Sequence, residues 1–363
     1  MFIYLGVFLV IHIDIFSFLA LTIFALLIIT YILVIQVVLL RLLHGYQTKQ
    51  EQKFFAVWEE RIFNYLEGDE KPQTLIKKIR RGKYIYLLRY LREFFLMLKG
   101  DDFAKLSSLI NETKLQPFLL SYLQSGSPRK INEAAYFLGL AKSEASKRLL
   151  RKKLRSENAS VFLSSALALA RLNDIDAVFD IFRNARHFKF ISKDSLLAIL
   201  SEYTDDVCKP LFQNLKREKN VLIQSITITL FRHFKFYQAG EMVLKIMVYS
   251  PSKDVIIESI KFFSTIELFE ASTALRSLIT HPKAEIRSEV LKALAVLGDE
   301  SFEQRIWDRM YDSEYEVQYN AVITLMKIIP GSEEKISRFA YGNLKDRAAA
   351  IARMVLSERN IKN

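Results

Sequence analysis

The residue types that most often carry out chemistry are few in this sequence and widely separated. The five histidines are His12, His44, His187, His233 and His281. No two are four residues apart, so the sequence has no H-E-x-x-H pair that could hold zinc on one helix. The one cysteine, Cys208, excludes an intrachain disulfide and a zinc site built from several cysteines. We predict that the histidines are capping, interface or surface residues.

Motifs for catalysis and nucleotide binding are also missing. No glycine-rich loop precedes a Lys-Ser or Lys-Thr pair, and no G-x-S-x-G elbow is present. Asp174-Ile175-Asp176 has the spacing of the D-x-D pair that binds a metal-nucleotide in glycosyltransferases, but it falls where a turn would place a helix-capping Asp. The sequence therefore predicts a protein that is not an enzyme and needs no metal, nucleotide or redox cofactor.

The first long apolar stretch predicts a membrane helix. Ile15 to Leu40 contains 26 consecutive residues without a charge. At about 1.5 Å per residue, such a helix exceeds the roughly 30 Å of hydrocarbon in a bilayer. A cleaved signal peptide would need a basic start and a small-residue cleavage site, and neither is present. We expect a retained helix over about 15–41, which the apolar stretch Phe2 to Ile11 either lengthens or accompanies in the membrane interface.

The flanking charges predict the orientation of this helix. Arg41, Lys49, Lys53 and Arg61 follow the apolar run, and no Lys or Arg precedes it. By the positive-inside bias, the N-terminus is outside and the remainder is cytoplasmic. We expect a single-pass protein of the cell (inner) membrane. Since one helix cannot form a polar channel without partners, the span is expected to be an anchor.

The rest of the sequence favours helices and repeats itself. Gly and Pro are scarce, at 11 and 7 of 363 residues. The stretch AEIRSEVLKALAVLGDE (284–300) is apolar at Ile286 and then four, five, seven, eight and eleven residues later, before a Gly-Asp stop. Similar patterns begin at Lys130, Val161, Ser192, Leu222, Val255, Ile286, Val317 and Arg347. Their steps of 30 to 33 residues, with second helical stretches at 144–157, 176–188 and 303–314, predict an α-solenoid of helix pairs.

The repeated residues resemble short HEAT repeats of about 31 residues, of the kind also found in bilin (PBS) lyase-type proteins. The resemblance rests on IRSEVLKALAVLGD, FLSSALALARLND and INEAAYFLGLAK. It implies an all-α fold in which the second helix of each pair lines the inner, concave surface. The layout of one span followed by such repeats is similar to bacterial single-span membrane HEAT-repeat proteins associated with glycosyltransferases of surface-polysaccharide synthesis.

Residues 45–127 are predicted to be helical but lack the repeat template. We divide the chain into an N-terminal segment with the membrane helix (1–44), a helical linker and cap (45–127), and the repeat array (128–363). A cap is expected because the first repeat of a solenoid otherwise leaves its apolar side uncovered. Trp58, Phe63 and Leu66 fall at helical spacing and are predicted to pack this cap.

The positive charge is concentrated in the cap and the first repeat. Residues 68–155 contain 20 Lys or Arg against 8 Asp or Glu, an excess equal to the net charge of the whole chain, +12. The densest runs are Lys77, Lys78, Arg80, Arg81 and Lys83, and then Lys147, Arg148, Arg151, Lys152, Lys153 and Arg155. Four interpretations remain open: a solvated helix face, anionic lipid headgroups, an acidic protein partner, or nucleic acid. The last is disfavoured by the absence of a recognition motif and by the membrane anchor.

These patterns predict a membrane-anchored HEAT-repeat scaffold that binds protein partners. The second basic run is the expected binding surface, on a groove at the membrane-proximal end of the array. One alternative is an assembly or regulatory subunit of a multi-helix membrane complex, in which Gln36, Thr22 and Thr30 bond to neighbouring helices. The other is a lyase- or isomerase-type enzyme that acts on the concave face through His187, His233 or Cys208.

Overall fold

The computed structural model describes residues 15–68, 70–188, 190–298, 300–342 and 344–362, and within these the chain is helical without strands. This confirms the predicted all-α class. The chain divides into two compact units, one up to Leu115 and one from Gln116 onward. The boundary drawn at residues 127 and 128 on the repeat template stays a prediction.

Unit 1 is built on one very long helix. Its helices are α1 (Ile15–Glu67), α2 (Pro72–Lys77), α3 (Tyr84–Met97) and α4 (Gly100–Asn111). The sequence predicts a membrane helix and a separate cap helix, whereas α1 runs through both as 53 continuous residues. Gly45 lies within it and does not interrupt it, since one glycine costs a helix only about 1 kcal/mol.

The apolar part of α1 matches the predicted membrane helix. Leu19–Arg41 is long and apolar enough to cross a membrane, with a mean hydropathy of 3.0, and none of it is buried in the protein. A signal sequence near an N-terminus can pass the same test of length and composition. Phe2 to Ile11 and His12 lie outside the described residues.

The residues predicted to pack the cap are buried to different degrees. The buried stripe of α1 consists of Trp58, Ile62 and Tyr65, which recur every three to four residues and face α3 and α4. Phe63 is 46% exposed and meets only the edge of the Phe94 ring, and Leu66 is half-buried. Trp58 packs inside the cap, and Phe63 packs at its surface against Phe94, because Phe63 lies one position off the buried stripe.

Unit 2 begins within the first turn of α5 (Leu115–Ser125) and then alternates two kinds of helix. The first helices of the pairs are α6 (Pro128–Leu140), α8 (Ala159–Arg171), α10 (Lys193–Leu200), α12 (Val221–His233), α14 (Lys253–Ile266), α16 (Ala284–Leu297), α18 (Tyr315–Ile328) and α20 (Arg347–Lys362). The second helices are α7 (Lys147–Lys153), α9 (Ala177–Ala185), α11 (Cys208–Leu215), α13 (Gly240–Tyr249), α15 (Ser272–Leu278), α17 (Glu303–Arg309) and α19 (Ser332–Gly342). Each first helix packs on the next, from α6 to α20, and the second helices pack on first helices.

A first helix lies at every predicted repeat start, with one shift of register. At Leu222 the template fails by one residue: Leu222 is 45% exposed, whereas Ile223 is buried. Counted from Ile223, the positions four, five, seven and eight residues later are all buried. The predicted second helices at 144–157, 176–188 and 303–314 are shorter than expected, because turns take up their ends; α7 and α17, for example, each follow a tight 3₁₀ turn.

The turns after five of the first helices share one backbone conformation. Lys142, Asn173, Lys235, Glu267 and Gly298 have φ angles of 48°, 49°, 50°, 53° and 71° and follow α6, α8, α12, α14 and α16. This left-handed conformation ends a helix, and glycine adopts it most easily. The predicted helix stop at Gly298 is therefore confirmed. The φ angle is similar at these five positions although the residue types differ, which supports the equivalence of the helix pairs.

The close packing of α6 on α8 depends on Gly139. A Cβ at this position would lie 2.7 Å from Cα and 2.9 Å from Cβ of Ala168, so α6 and α8 would have to separate. We expect Gly139→Ala to lower the free energy of unfolding by about 1–3 kcal/mol, although alanine is the better helix former. Gly342→Ala is the control, since a Cβ there has nothing within 4 Å. Chemical denaturation measures both; a Gly139→Ala protein as stable as wild type would contradict the close packing.

Candidate functional site

Cys208 and three of the histidines, His187, His233 and His281, have described side chains. Cys208 is fully buried, and desolvation, followed by the charge of Asp205, raises the pKa of its thiol to about 12. A thiol with that pKa stays protonated and is a poor nucleophile. His187 and His233 are exposed, and Nδ1 of His281 accepts a hydrogen bond from the Lys283 amide at 3.1 Å. Within the described residues, no group of three or more His, Cys, Asp or Glu could hold a metal ion.

The D-x-D pair is held by an arginine. Arg151 of α7 binds the carboxylate of Asp174 with Nε at 2.6 Å and with its terminal nitrogen, and it reaches Asp176 at 3.2 Å. The Asp174 side chain is 3% exposed. The Asp174 carbonyl also accepts a hydrogen bond from the Tyr203 hydroxyl at 3.1 Å. Through these contacts the pair joins α7 and α8 to the next repeat. The sequence predicts a helix-capping Asp here, but the Asp176 side chain, at the N-cap of α9, makes no cap hydrogen bond.

The second basic run separates into paired and unpaired cations. Arg151 is committed to Asp174, and Lys147 pairs with Glu144 at 2.7 Å. Lys153 is half-buried. Arg148, Lys152 and Arg155 are exposed and have no ion-pair partner in the described part of the chain.

The three unpaired cations lie on one face. Their spacing of four and three residues aligns them along α7 and the turn that continues it, while Leu150 and Leu154 are buried on the other side. We call Arg148, Lys152 and Arg155 the α7 stripe. Of the six residues predicted for this surface, these three are available for binding.

The first basic run begins at the last residue of α2 and ends directly before α3 in unit 1. Lys77, Arg80 and Arg81 are exposed without an acidic partner among the described residues. Lys78 forms an ion pair with Glu70, and the Lys83 ammonium lies 4.7 Å from the centre of the Tyr86 ring. We call Lys77, Lys78, Arg80, Arg81 and Lys83 the basic collar.

Polar side chains link consecutive first helices at equivalent positions. The Asn132 amide of α6 bonds to the hydroxyls of Ser160 and Ser164 of α8, at 2.9 and 2.8 Å. Ten helices further along the chain, Ser288 of α16 bonds to Glu316 and Asn320 of α18, at 2.8 and 2.9 Å. The same spacing on both pairs is independent evidence that the first helices are equivalent.

A four-residue cluster joins three other first helices. Glu258 of α14 accepts from Thr229 at 3.0 Å and pairs with Arg232 of α12 and with Lys193 of α10, both at 3.3 Å. The Glu258 side chain is only 12% exposed. Every carboxylate oxygen has a basic or hydroxyl partner, so the cluster stabilises the stack of helices.

One feature that sequence reasoning missed is a buried ion pair. Arg287 of α16 binds the Asp312 carboxylate with two parallel bonds of 2.8 and 2.6 Å, and the two side chains are 10% and 2% exposed. Arg287 also donates to the carbonyls of His281 and Pro282, at 2.7 and 3.0 Å. The sequence does not single out Arg287, which is one of four charged residues in 284–297 with Glu285, Glu289 and Lys292.

A small cavity of about 230 Å³ lies beside α9 and the start of α12. Phe182, Leu196 and Ile226 contribute apolar walls, and Arg186 and Asn220 contribute polar groups. The Asn220 side chain already caps α12 by accepting from the Ile223 amide at 3.1 Å. The cavity is smaller than the roughly 300–1,000 Å³ of typical small-molecule sites.

No protein-family model matches this chain, and no curated protein is significantly similar to it. Solved structures do give matches. An engineered protein from a structural genomics consortium is 19% identical over 58% of this chain and 94% of its own, with a TM-score of 0.29. The complex of CpcE and CpcF of phycocyanin lyase from Nostoc sp. gives 14% identity over 67% and 93%, also with a TM-score of 0.29. Neither similarity is high enough to define a fold or a function for this chain.

Proposed function

We propose that this protein is a membrane-anchored scaffold: one span at the N-terminus, with the N-terminus outside, and a cytoplasmic α-solenoid of HEAT-like helix pairs that holds protein partners at the membrane. The observation that carries the proposal is the order of packing, in which each first helix contacts the next from α6 to α20. Helix pairs stacked in chain order are the defining arrangement of an α-solenoid. Such arrays offer long surfaces for protein binding.

The α7 stripe supports a partner with an acidic surface. Three exposed cations on one face attract a complementary surface and speed its association. An anchor that confines both proteins to the membrane raises their effective concentration. By the resemblance to bacterial membrane HEAT-repeat proteins, a membrane glycosyltransferase or another component of surface-polysaccharide synthesis is the candidate partner. No cofactor is part of the proposal.

Charge reversal of the α7 stripe tests this surface. We expect Arg148→Glu, Lys152→Glu and Arg155→Glu together to leave helicity and the melting temperature unchanged, because the three side chains have no partners in the described residues. Recovery of the co-purifying partner from detergent-solubilised membranes should fall at least about ten-fold, as expected for the loss of more than 1.4 kcal/mol of binding free energy. Arg151 is left intact because it holds Asp174.

A control variant, with three basic residues elsewhere in unit 2 changed to Glu, tests whether the change in net charge alone affects partner recovery. Arg217, Lys219 and Lys235 are exposed and lie in turns around α11 and α12. Arg217→Glu, Lys219→Glu and Lys235→Glu should leave partner recovery unchanged. Equal recovery with the stripe variant and with wild type would remove the α7 stripe from the proposal.

The assembly-subunit alternative receives little support from the two threonines of the span. The Thr22 hydroxyl donates to the Leu19 carbonyl at 2.8 Å, and the Thr30 hydroxyl donates to the Leu26 carbonyl at 2.7 Å. Both hydroxyls are therefore satisfied within α1 and need no neighbouring helix. Replacing the span by a plain Leu/Ala helix should preserve the function of an anchor and abolish that of an assembly subunit.

A further inference from the structure

The direction of α3 relative to α1 determines where the basic collar lies. Tyr90 stacks on Phe55 with ring centres 4.8 Å apart, and Phe94 meets Phe63 at 6.0 Å. Residue numbers increase together in both helices, so α3 runs in the same direction as α1, away from the apolar span. The N-terminus of α3, with the collar before it, is therefore the end of α3 nearer to the span.

The helix geometry gives the approximate height of the collar. Phe55 lies 14 residues beyond Arg41, the last residue of the apolar span, which is about 21 Å along the helix axis. Tyr84 begins α3 six residues before Tyr90, so it lies up to about 9 Å closer to the span. Arg80 and Arg81 precede Tyr84. The contact of Phe94 with Phe63 gives about 18 Å for the same start of α3. The start of α3, with Arg80 and Arg81 before it, thus lies about 12–18 Å from the level of Arg41. Lys78 lies towards the Glu67 end of α1, because it pairs with Glu70.

That height is within reach of lipid headgroups. The headgroup layer adds about 5–7 Å beyond the hydrocarbon, and charges act over a Debye length of about 8 Å at physiological salt. Lys77, Arg80 and Arg81 are exposed and lack acidic partners among the described residues. We infer that the basic collar binds the anionic headgroups of the bilayer that holds α1, and so fixes unit 1 against the membrane surface. The inference rests on the proposed membrane anchor.

The collar's height and charge favour lipid over a soluble acidic partner as its occupant. A group that α1 holds about 12–18 Å from the span stays close to the headgroups, and each basic residue near an anionic surface favours contact about five-fold. A soluble partner would have to compete with that surface. The α7 stripe belongs to the other compact unit and is not part of this inference.

A single fluorescent label tests the inference in the full chain. Gly82 lies inside the collar, and a Cβ there meets nothing within 4 Å, so Gly82→Cys should fold normally. Cys208, the native cysteine, is buried and should not react with the label. The labelled protein is reconstituted in vesicles of phosphatidylcholine alone or with one quarter phosphatidylglycerol, each with a trace of lipid carrying a nitroxide at its headgroup.

We expect the nitroxide to quench the label more strongly in the anionic vesicles, and high salt to remove the difference. Arg80→Glu with Arg81→Glu should lower the contact equilibrium by about 25-fold or more and abolish the difference. The matched control is Lys99→Glu with Lys114→Glu. Both are exposed near the Tyr65 end of α1, where Tyr65 contacts Lys105 and lies near Glu112, about 36 Å from Arg41.

Three outcomes decide the inference. Equal quenching in neutral and anionic vesicles overturns it, and so does a loss of the difference in the Lys99 and Lys114 control. Protein that a carbonate wash removes from the vesicles overturns the membrane anchor itself. Protein that resists the wash but shows no dependence on anionic lipid contradicts only the collar.

Discussion

Asp312→Ala is expected to lower the free energy of unfolding by about 3–5 kcal/mol. The Asp312 carboxylate is 2% exposed and accepts two bonds from Arg287 and one from Arg309 at 3.3 Å. Removing it leaves the buried Arg287 charge uncompensated and close to a second guanidinium. Urea unfolding followed by circular dichroism measures the change.

A second variant distinguishes the cost of an uncompensated Arg287 charge from the cost of losing the Asp312 side-chain contacts. Replacing both partners, Arg287→Met with Asp312→Leu, removes the isolated charge and should cost less than Asp312→Ala alone. Glu241→Ala is the surface control: it breaks the exposed Glu241–Lys245 pair and should leave the unfolding midpoint unchanged. A double variant less stable than the single one would contradict the argument.

The same ion pair makes stability depend on pH. Burial raises the pKa of Asp312, but hydrogen bonds from Arg287 and the Glu314 amide, with the charges of Arg287 and Arg309, outweigh it and lower the pKa below its usual value. The unfolded chain therefore takes up this proton first, and the contribution of Asp312 is present above pH 4 and lost as the pH falls through the folded-state pKa. The stability difference between wild type and Asp312→Asn should shrink below about pH 4.

Two arginines in the span, Leu27→Arg with Leu33→Arg, are expected to release the protein from membranes. Both leucines lie near the middle of Leu19–Arg41 and are more than half exposed. Each arginine at the centre of a membrane helix costs about 2.5–3.5 kcal/mol of insertion free energy. Most of the variant should appear in the carbonate-soluble fraction, while wild type stays in the pellet.

The controls for the span address packing and processing. Leu27→Ala with Leu33→Ala removes the same side chains without adding charge and should stay in the pellet. The intact mass of the purified protein should include residues 15–40; a mass that lacks them would identify a cleaved signal sequence and contradict the anchor.

Much of the fold follows from periodicity, because buried positions on stacked helices recur at fixed spacing. The pattern at Ile286 predicts α16 and its end at Gly298, and the copies predict the other first helices. Register was lost at Leu222, where Leu222 and Ile223 are both apolar and only packing distinguishes them. The length of α1 was not predicted, because the membrane helix was expected to end at about residue 41 and a separate helical cap to begin at residue 45.

The candidate surface was predictable only as a charged run. In the sequence, Arg151 is one of six neighbouring basic residues that could bind a partner. In the structure it binds Asp174, which is 23 residues away in the chain and is brought into contact by the fold. The same holds for Arg287 and Asp312. A basic residue becomes available for binding when no acid is folded against it, and one sequence does not show which acids those are.

The most direct test of the scaffold is a quantitative affinity purification from detergent-solubilised native membranes. Three chains are compared: wild type, the stripe variant at Arg148, Lys152 and Arg155, and a chain whose residues 19–40 are replaced by a plain Leu/Ala helix. The account predicts the same stoichiometric protein partner with wild type and with the Leu/Ala span, and at least about ten-fold less with the stripe variant. A partner that survives stripe reversal but is lost with the Leu/Ala span would contradict it.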